Sequence, residues 1–248
     1  MRGCARPAGR GGDRAGPIAR SGTWRFEEAG ADDDVEFRVY TDPAGEARVR
    51  EIFGRVSSVP VEPGWEDRWR AFHRPVRVGG LWIGPPWETP PSGEPAIVVD
   101  PGRAFGTGAH PTTRACIELL AAYERGSVLD AGCGSGVVAI AAARLGFDPV
   151  VAVDADSVSV AAARSNVAFN GVRVEVLLAD VLRDALPATD LLVANIDLPV
   201  VEALLARRPA DRAITSEYVD HETPRVQGWE PLARIDLDGW AADVLTAK

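Results

Sequence analysis

The chain has 248 residues, a formal net charge of −9 and 46% apolar residues. That length buries a core without disulfide or metal staples, and the acidic balance excludes a broad, charge-driven nucleic-acid-binding role. Cys4, Cys116 and Cys133 are odd in number and far apart, so neither a disulfide framework nor zinc spacing is read, and a reducing compartment follows. No stretch approaches the ~18–20 continuous apolar residues of a membrane span. The Arg-rich N-terminus lacks the apolar run of a secretory signal. The expectation is a cytoplasmic monomer with no metal, no membrane contact and no direct nucleic-acid partner.

Residues 1–22 are mostly Gly, Arg, Ala and Pro. They hold too few apolar groups to offset the entropy of ordering, so they read as disordered or as the product of a start codon assigned too early. A transit peptide fits less well, because Gly and Pro oppose an amphipathic helix. Residues 23–61 read as a small α+β piece. Val35 to Tyr40 alternates apolar and polar as a strand does, and Val49, Ile52 and Phe53 recur at helical spacing. Residues 62–95 form a Trp/Pro-rich linker carrying Trp65, Trp69, Trp82 and Trp87. Trp65 and Trp69 are four apart and share a helix face. The segment reads as an aromatic wedge between domains or, in part, as the lining of a substrate cleft.

From residue 96 to 248 the pattern changes. Strands are predicted at 128–131, 150–154, 174–180, 191–195 and 212–218, with helices at 114–123, 137–145, 157–169 (ended by Asn170-Gly171) and 198–207. Continuous apolar strands alternating with helices predict an α/β domain with a parallel sheet covered on both faces. Residues 231–247 read as two strands meeting at Asp238-Gly239, an antiparallel hairpin closing the sheet.

Between the 128–131 strand and the 137–145 helix lies Asp130-Ala131-Gly132-Cys133-Gly134-Ser135-Gly136. Gly132, Gly134 and Gly136 allow a tight turn and close approach of a ligand to backbone, and the helix start offers free N–H groups. Asp154 ends the next strand, where a carboxylate accepts both hydroxyls of a ribose. Asp180 ends the third, within reach of an adenine amino group. A glycine loop of this kind also serves nicotinamide cofactors. Asp130 would repel a pyrophosphate, but it suits a ligand whose near end carries an ammonium and a sulfonium. With the terminal hairpin, this favours S-adenosylmethionine over NAD. A structural role for Asp130, bonding loop amides, is compatible with that reading.

Asp100-Pro101-Gly102-Arg103-Ala104-Phe105-Gly106-Thr107-Gly108-Ala109-His110-Pro111-Thr112-Thr113 resembles the signature of the PrmA family, the ribosomal protein L11 methyltransferases. Trp65–Trp69, Leu81–Glu88, Asn195-Ile196 and Gly239–Leu245 also look like segments of that family, so the resemblance covers about residues 62–248. It implies a class I methyltransferase fold, a Rossmann-like sheet with a C-terminal antiparallel hairpin. It also implies S-adenosyl-L-methionine as cofactor and a large-subunit ribosomal protein as substrate. Thr113, Gly132, Asp154 and Asn195 fall on the family's cofactor contacts, and Phe105, Gly106, Thr107 and Gly108 on the loop covering the methionine end. Phe105 there would shield a sulfonium as a cation beside a ring. Thr112 and Thr113 equally suit helix caps, and His110 suits a structural role before Pro111.

The chain departs from the family in three places, one being the short helix after Asn195-Ile196, closely followed by Pro209. Residues 23–61 have room for about half of its ferredoxin-like N-terminal domain. An acid, Asp197, follows the active-site Asn195-Ile196. The implied chemistry is in-line displacement at the sulfonium methyl by a neutral amine, oriented by the Asn195 amide oxygen and the Ile196 carbonyl. Asp197 reads as a proton acceptor or as the N-cap of the following helix. Two other readings stay open: a methyltransferase of the same fold acting on another protein lysine or a small molecule, and a non-catalytic cofactor-binding protein. Cys133 reads as a small space-filler in the loop.

Overall fold

A computed structural model describes residues 2–5, 25–29, 36–41, 43–53, 56–60, 73–100 and 108–248. The chain divides into two units, Met1–Ala71 and Phe72–Lys248.

The first unit is a four-stranded antiparallel sheet built from β1 (Arg2–Ala5), β2 (Arg25–Ala29), β3 (Glu36–Thr41) and β4 (Ser57–Pro60), with α1 (Pro43–Phe53) between the last two. The strand order is β2-β3-β1-β4. β1 pairs on one side with β3 (Arg2↔Thr41) and on the other with β4 (Arg2↔Pro60). Within the stretch read as disordered or as a start codon assigned too early, residues 2–5 form β1, between β3 and β4. Helix α1 buries Val49. Its Arg50 reaches back to Glu46 at 2.9 Å, and Glu46 also accepts from Ser58 Oγ at 2.7 Å, tying the helix to β4.

The second unit opens with a three-stranded sheet, β5 (Val76–Val78), β6 (Leu81–Gly84) and β7 (Ala96–Val98). β5 and β6 form a hairpin in which Val78 faces Leu81. The two turn residues, Gly79 and Gly80, sit at φ 58° and 76°, the left-handed pair that a two-residue hairpin turn requires. Two short strands, β5 and β6, therefore fall within the segment read as a linker, and its Trp82 is buried in β6. Trp65 and Trp69 lie outside the described residues.

The main sheet comprises β8 (Val128–Ala131), β9 (Val150–Asp154), β10 (Glu175–Leu178), β11 (Leu191–Asn195), β12 (Arg212–Val219), β13 (Trp229–Leu237) and β14 (Trp240–Ala247). Its order is β10-β9-β8-β11-β12-β14-β13. The first five strands are parallel; β14 runs antiparallel to β12, and β13 antiparallel to β14. This is the expected Rossmann-like class I methyltransferase sheet with its terminal hairpin. The strands alternate between two buried cores. Val128, Val150, Ala152, Val193 and Ile214 pack with α2 (Pro111–Ala122), α3 (Val137–Arg144) and α4 (Ser157–Asn170) on one face. Leu129, Val151, Val153, Leu192 and Ala213 pack with α5 (Leu198–Ala206) on the other. Because both faces are covered, the strands need the continuous apolar runs seen in the sequence.

Strand order reverses between β8 and β11. In open α/β sheets, ligands bind beyond the carboxyl ends of the strands at such a switch. Among the described residues, no helix is long and apolar enough to cross a membrane.

Candidate functional site

The glycine loop leaves β8 and turns over the end of β9, where the Gly132 and Cys133 amides both donate to the Val153 carbonyl at 2.8 and 3.0 Å. Gly132 sits at φ 74°. A Cβ there would lie 2.4 Å from Ile196 Cγ2, so the loop and the end of β11 touch through a position that admits only glycine. Gly136, at φ 79°, is the N-cap of α3, and a Cβ there would press on Ala163 of α4 at 3.1 Å. Gly134 donates its amide to Asp154 Oδ2 at 2.9 Å.

Asp130 is fully buried, and its Oδ2 accepts the Ala139 amide in the first turn of α3 at 3.0 Å. Of the two roles considered for it, the geometry displays the amide-bonding one, directed at the helix rather than the loop. Burial pushes its carboxyl up to about 7. Burial also raises the Cys133 and Cys116 thiols, which disfavours the nucleophilic thiolate.

Asp154, at the end of β9, accepts from the Asp156 amide through Oδ1 (2.9 Å) and from Gly134 through Oδ2. Each oxygen keeps a further lone pair for a ligand hydroxyl. Asp180 follows β10. Its carboxylate is engaged in its own turn, accepting from the Leu182 amide at 2.9 Å and pairing with Arg183 at 3.1 Å. It stands beside Asp154 only through backbone, the Ala179 amide donating to the Asp154 carbonyl at 3.0 Å.

Asn195 ends β11. Its Nδ2 donates to Thr113 Oγ1 at 3.3 Å, while its Oδ1 is buried with no hydrogen-bond partner among the described residues. A buried carbonyl oxygen left unmatched costs free energy, so an arrangement of this kind suits a donor supplied by a ligand. Thr113 and Thr112 are buried inside the first turn of α2 and do not cap it. The cap position is His110, with Pro111 opening the helix. Asp197 stands at the N-cap of α5, exposed and without a side-chain capping bond.

The structure thus joins Thr113, Gly132, Gly134, Asp154, Asn195 and Ile196 around the ends of β8, β9 and β11. Phe105, Gly106 and Thr107 lie outside the described residues; Gly108, which follows them, has φ 83° and packs on Ile83. Three contributors escaped the sequence reading. Asn166 and Asn170, four apart on α4, are both buried. Asn166 Nδ2 donates to the Ser135 carbonyl of the glycine loop at 2.9 Å, and Asn170 brackets Val98 of β7 with bonds of 2.9 and 2.7 Å. Two amides at i and i+4 on the apolar face of a helix were the available signal. Glu217, the third, sits at a bulge in β12 and carried no signal at all.

The profile of the ribosomal protein L11 methyltransferase (PrmA) family matches residues 49–213. The ribosomal protein L11 methyltransferase of Symbiobacterium thermophilum is 40% identical over 199 residues, which span 73% of this chain and 65% of that protein. The protein of the same name from Exiguobacterium sibiricum is 44% identical over 199 residues, 73% of this chain and 63% of that one. The chain therefore spans slightly less than two thirds of these relatives. The crystal structure of a ribosomal protein L11 methylase from Lactobacillus delbrueckii subsp. bulgaricus superposes with a TM-score of 0.60 at 29% identity, covering 68% of this chain and 95% of that one.

Proposed function

The chain belongs to the ribosomal protein L11 methyltransferase (PrmA) family, and from that premise we propose that it is a cytoplasmic S-adenosylmethionine-dependent N-methyltransferase acting on amino groups of ribosomal protein L11. The observation that carries the chemistry is Asn195. Its amide is fixed at one end by Thr113 and holds a buried, unmatched oxygen at the other, beside the glycine loop.

The residues present fit the cofactor. Gly132 leaves backbone bare against Ile196 where any side chain would intrude. Asp154 would hold the ribose hydroxyls, and the Gly132–Gly136 loop and Thr113 would line the methionine side. When bound, the cofactor supplies a methyl group made electrophilic by its sulfonium. The chain's own task is positioning rather than acid–base chemistry. Asn195 Oδ1 accepts an N–H of the incoming amine and so aims the nitrogen lone pair; the Ile196 carbonyl supplies a second acceptor. A dry site beside the cationic cofactor would favour the neutral amine over the ammonium.

The test is transfer of labelled methyl groups to unmethylated ribosomes and free ribosomal proteins, read by intact mass. The reading expects one or more methyl increments on L11. Unchanged masses for every ribosomal protein, with cofactor binding shown in the same sample, would move the substrate to another protein lysine or a small molecule. Failure to bind the cofactor would overturn the reading itself.

A further inference from the structure

Glu217 occupies a conformation that an ordinary strand residue avoids. The β12–β14 register slips between Ser216 and Tyr218, leaving Glu217 as the extra residue of a bulge at φ 76°. Left-handed backbone at a non-glycine residue persists only where surrounding contacts impose it, and such residues gather at functional sites. Here the contacts are specific. Glu217 Oε2 accepts from Thr112 Oγ1 at 2.7 Å. Thr112 Oγ1, its proton committed to Glu217, accepts from His110 Nδ1 at 2.7 Å. His110 Nδ1 lies 3.9 Å from Glu217 Oε2, and its ring stands edge-on to Trp240. The carboxylate thereby pins the first turn of α2.

The next residue in that turn is Thr113, which holds Asn195 Nδ2. The residue before Glu217, Ser216, pairs in register with Asn195. One turn of helix is therefore gripped from two adjacent strand ends, by Glu217 on β12 and by Asn195 on β11. We propose that Glu217 is a positioning residue: acting through Thr112, it fixes the α2 turn so that Thr113 holds the Asn195 amide with Oδ1 turned to the acceptor amine. This rests on the methyl-transfer reading above and deepens it.

Two substitutions separate a positioning role from a folding role. Glu217→Gly removes the carboxylate and also suits the left-handed backbone, so the thermal midpoint should hold or rise. kcat should nevertheless fall by about tenfold or more, since small displacements of an orienting group are costly. The KM for cofactor should rise by less than kcat falls, because Thr113 lines the methionine side while the Asp154 and glycine-loop contacts are untouched. Glu217→Gln keeps an acceptor for Thr112 and should recover most of the lost kcat. The side-chain amide resonances of Asn195, assigned through their loss in Asn195→Asp, should move in Glu217→Gly and return in Glu217→Gln. This second readout decides the inference even if the wild-type chain methylates nothing, an outcome that would instead count against the proposed function. Full activity with unmoved Asn195 resonances in Glu217→Gly overturns the inference. So does a large drop in its thermal midpoint, or a Gln variant as impaired as the Gly variant, which would assign the effect to charge.

Discussion

Asn195 and Gly132 show how single positions carry the site. Asn195 contributes two opposite functions from one amide: Nδ2 is committed to Thr113, and Oδ1 is held ready. Asn195→Ala should lower kcat for methyl transfer by about a hundredfold, the size typical for removal of one preorganised polar group. Cofactor affinity should change far less, and single-turnover rates alongside equilibrium binding would separate the two. Gly132 fails differently. Gly132→Ala meets Ile196 Cγ2 and also strains a φ of 74°. The clash and the strain together should cost about 2–4 kcal/mol. Shortening the neighbour in the double variant Gly132→Ala with Ile196→Ala removes the clash and leaves the strain, so the two substitutions should be non-additive by about 1 kcal/mol or more. Denaturant unfolding of the four chains in that cycle measures it. Additive losses would mean that the contact between loop and β11 has no energetic weight.

At the scale of elements, α3 depends on a group that belongs to the sheet. Its N-cap is Gly136, which has no side chain to offer, and Asp130 from β8 satisfies the Ala139 amide instead. The carboxyl pays for this in desolvation, which lifts it to about 7 from an ordinary 3.8. A carboxyl raised on folding binds its proton more tightly in the native state. The stability it contributes is therefore complete below about pH 4 and is lost as pH rises through about 7. Asp130→Asn keeps an oxygen for Ala139 without a charge to desolvate. Its advantage over wild type should grow across that window to the order of 2–4 kcal/mol and then level off. Urea unfolding at several pH values would show it, and a constant difference between the two chains would refute it.

The same elements show what sequence can disclose. Strands β8, β9 and β11 were legible because burial on both faces demands unbroken apolar runs, and the glycine loop was legible because its backbone approaches so closely. The β5–β6 hairpin was hidden by strands of three and four residues amid prolines, although its Gly79-Gly80 turn was a readable sign. Asn170 read only as the end of a helix and Asn166 drew no reading, since only the fold brings Val98 and Ser135 to them. Glu217 was illegible in principle: its left-handed backbone comes from pairing with β14 and a bond to Thr112, 105 residues away. The hairpin's anchor was equally remote from sequence pattern. Asp243, almost fully buried, is satisfied by Tyr218 at 2.8 Å and by Arg234 at 2.9 Å, and Arg234 also donates to the Asp220 and Glu222 carbonyls.

Across the whole molecule, every described candidate residue, from Gly108 to Glu217, falls in the Phe72–Lys248 unit. β1 in the other unit was missed because Arg2-Gly3-Cys4-Ala5 has neither alternation nor apolar weight and is a strand only by pairing on both edges. If the cofactor binds only the folded larger unit, mass action stabilises that unit alone. At a hundred times its dissociation constant, S-adenosylmethionine should add about 2.7 kcal/mol. For a unit of this size, that shifts a thermal midpoint by about 5–10 °C. The shift should keep climbing with the logarithm of cofactor concentration, and any separate transition of residues 1–71 should stay in place. Scanning calorimetry over a cofactor series tests both points. A midpoint that ignores the cofactor would argue that the glycine loop, Asp154 and Asn195 do not form a binding site. A rise in a transition belonging to the first unit would argue that the site extends beyond the residues assigned to it.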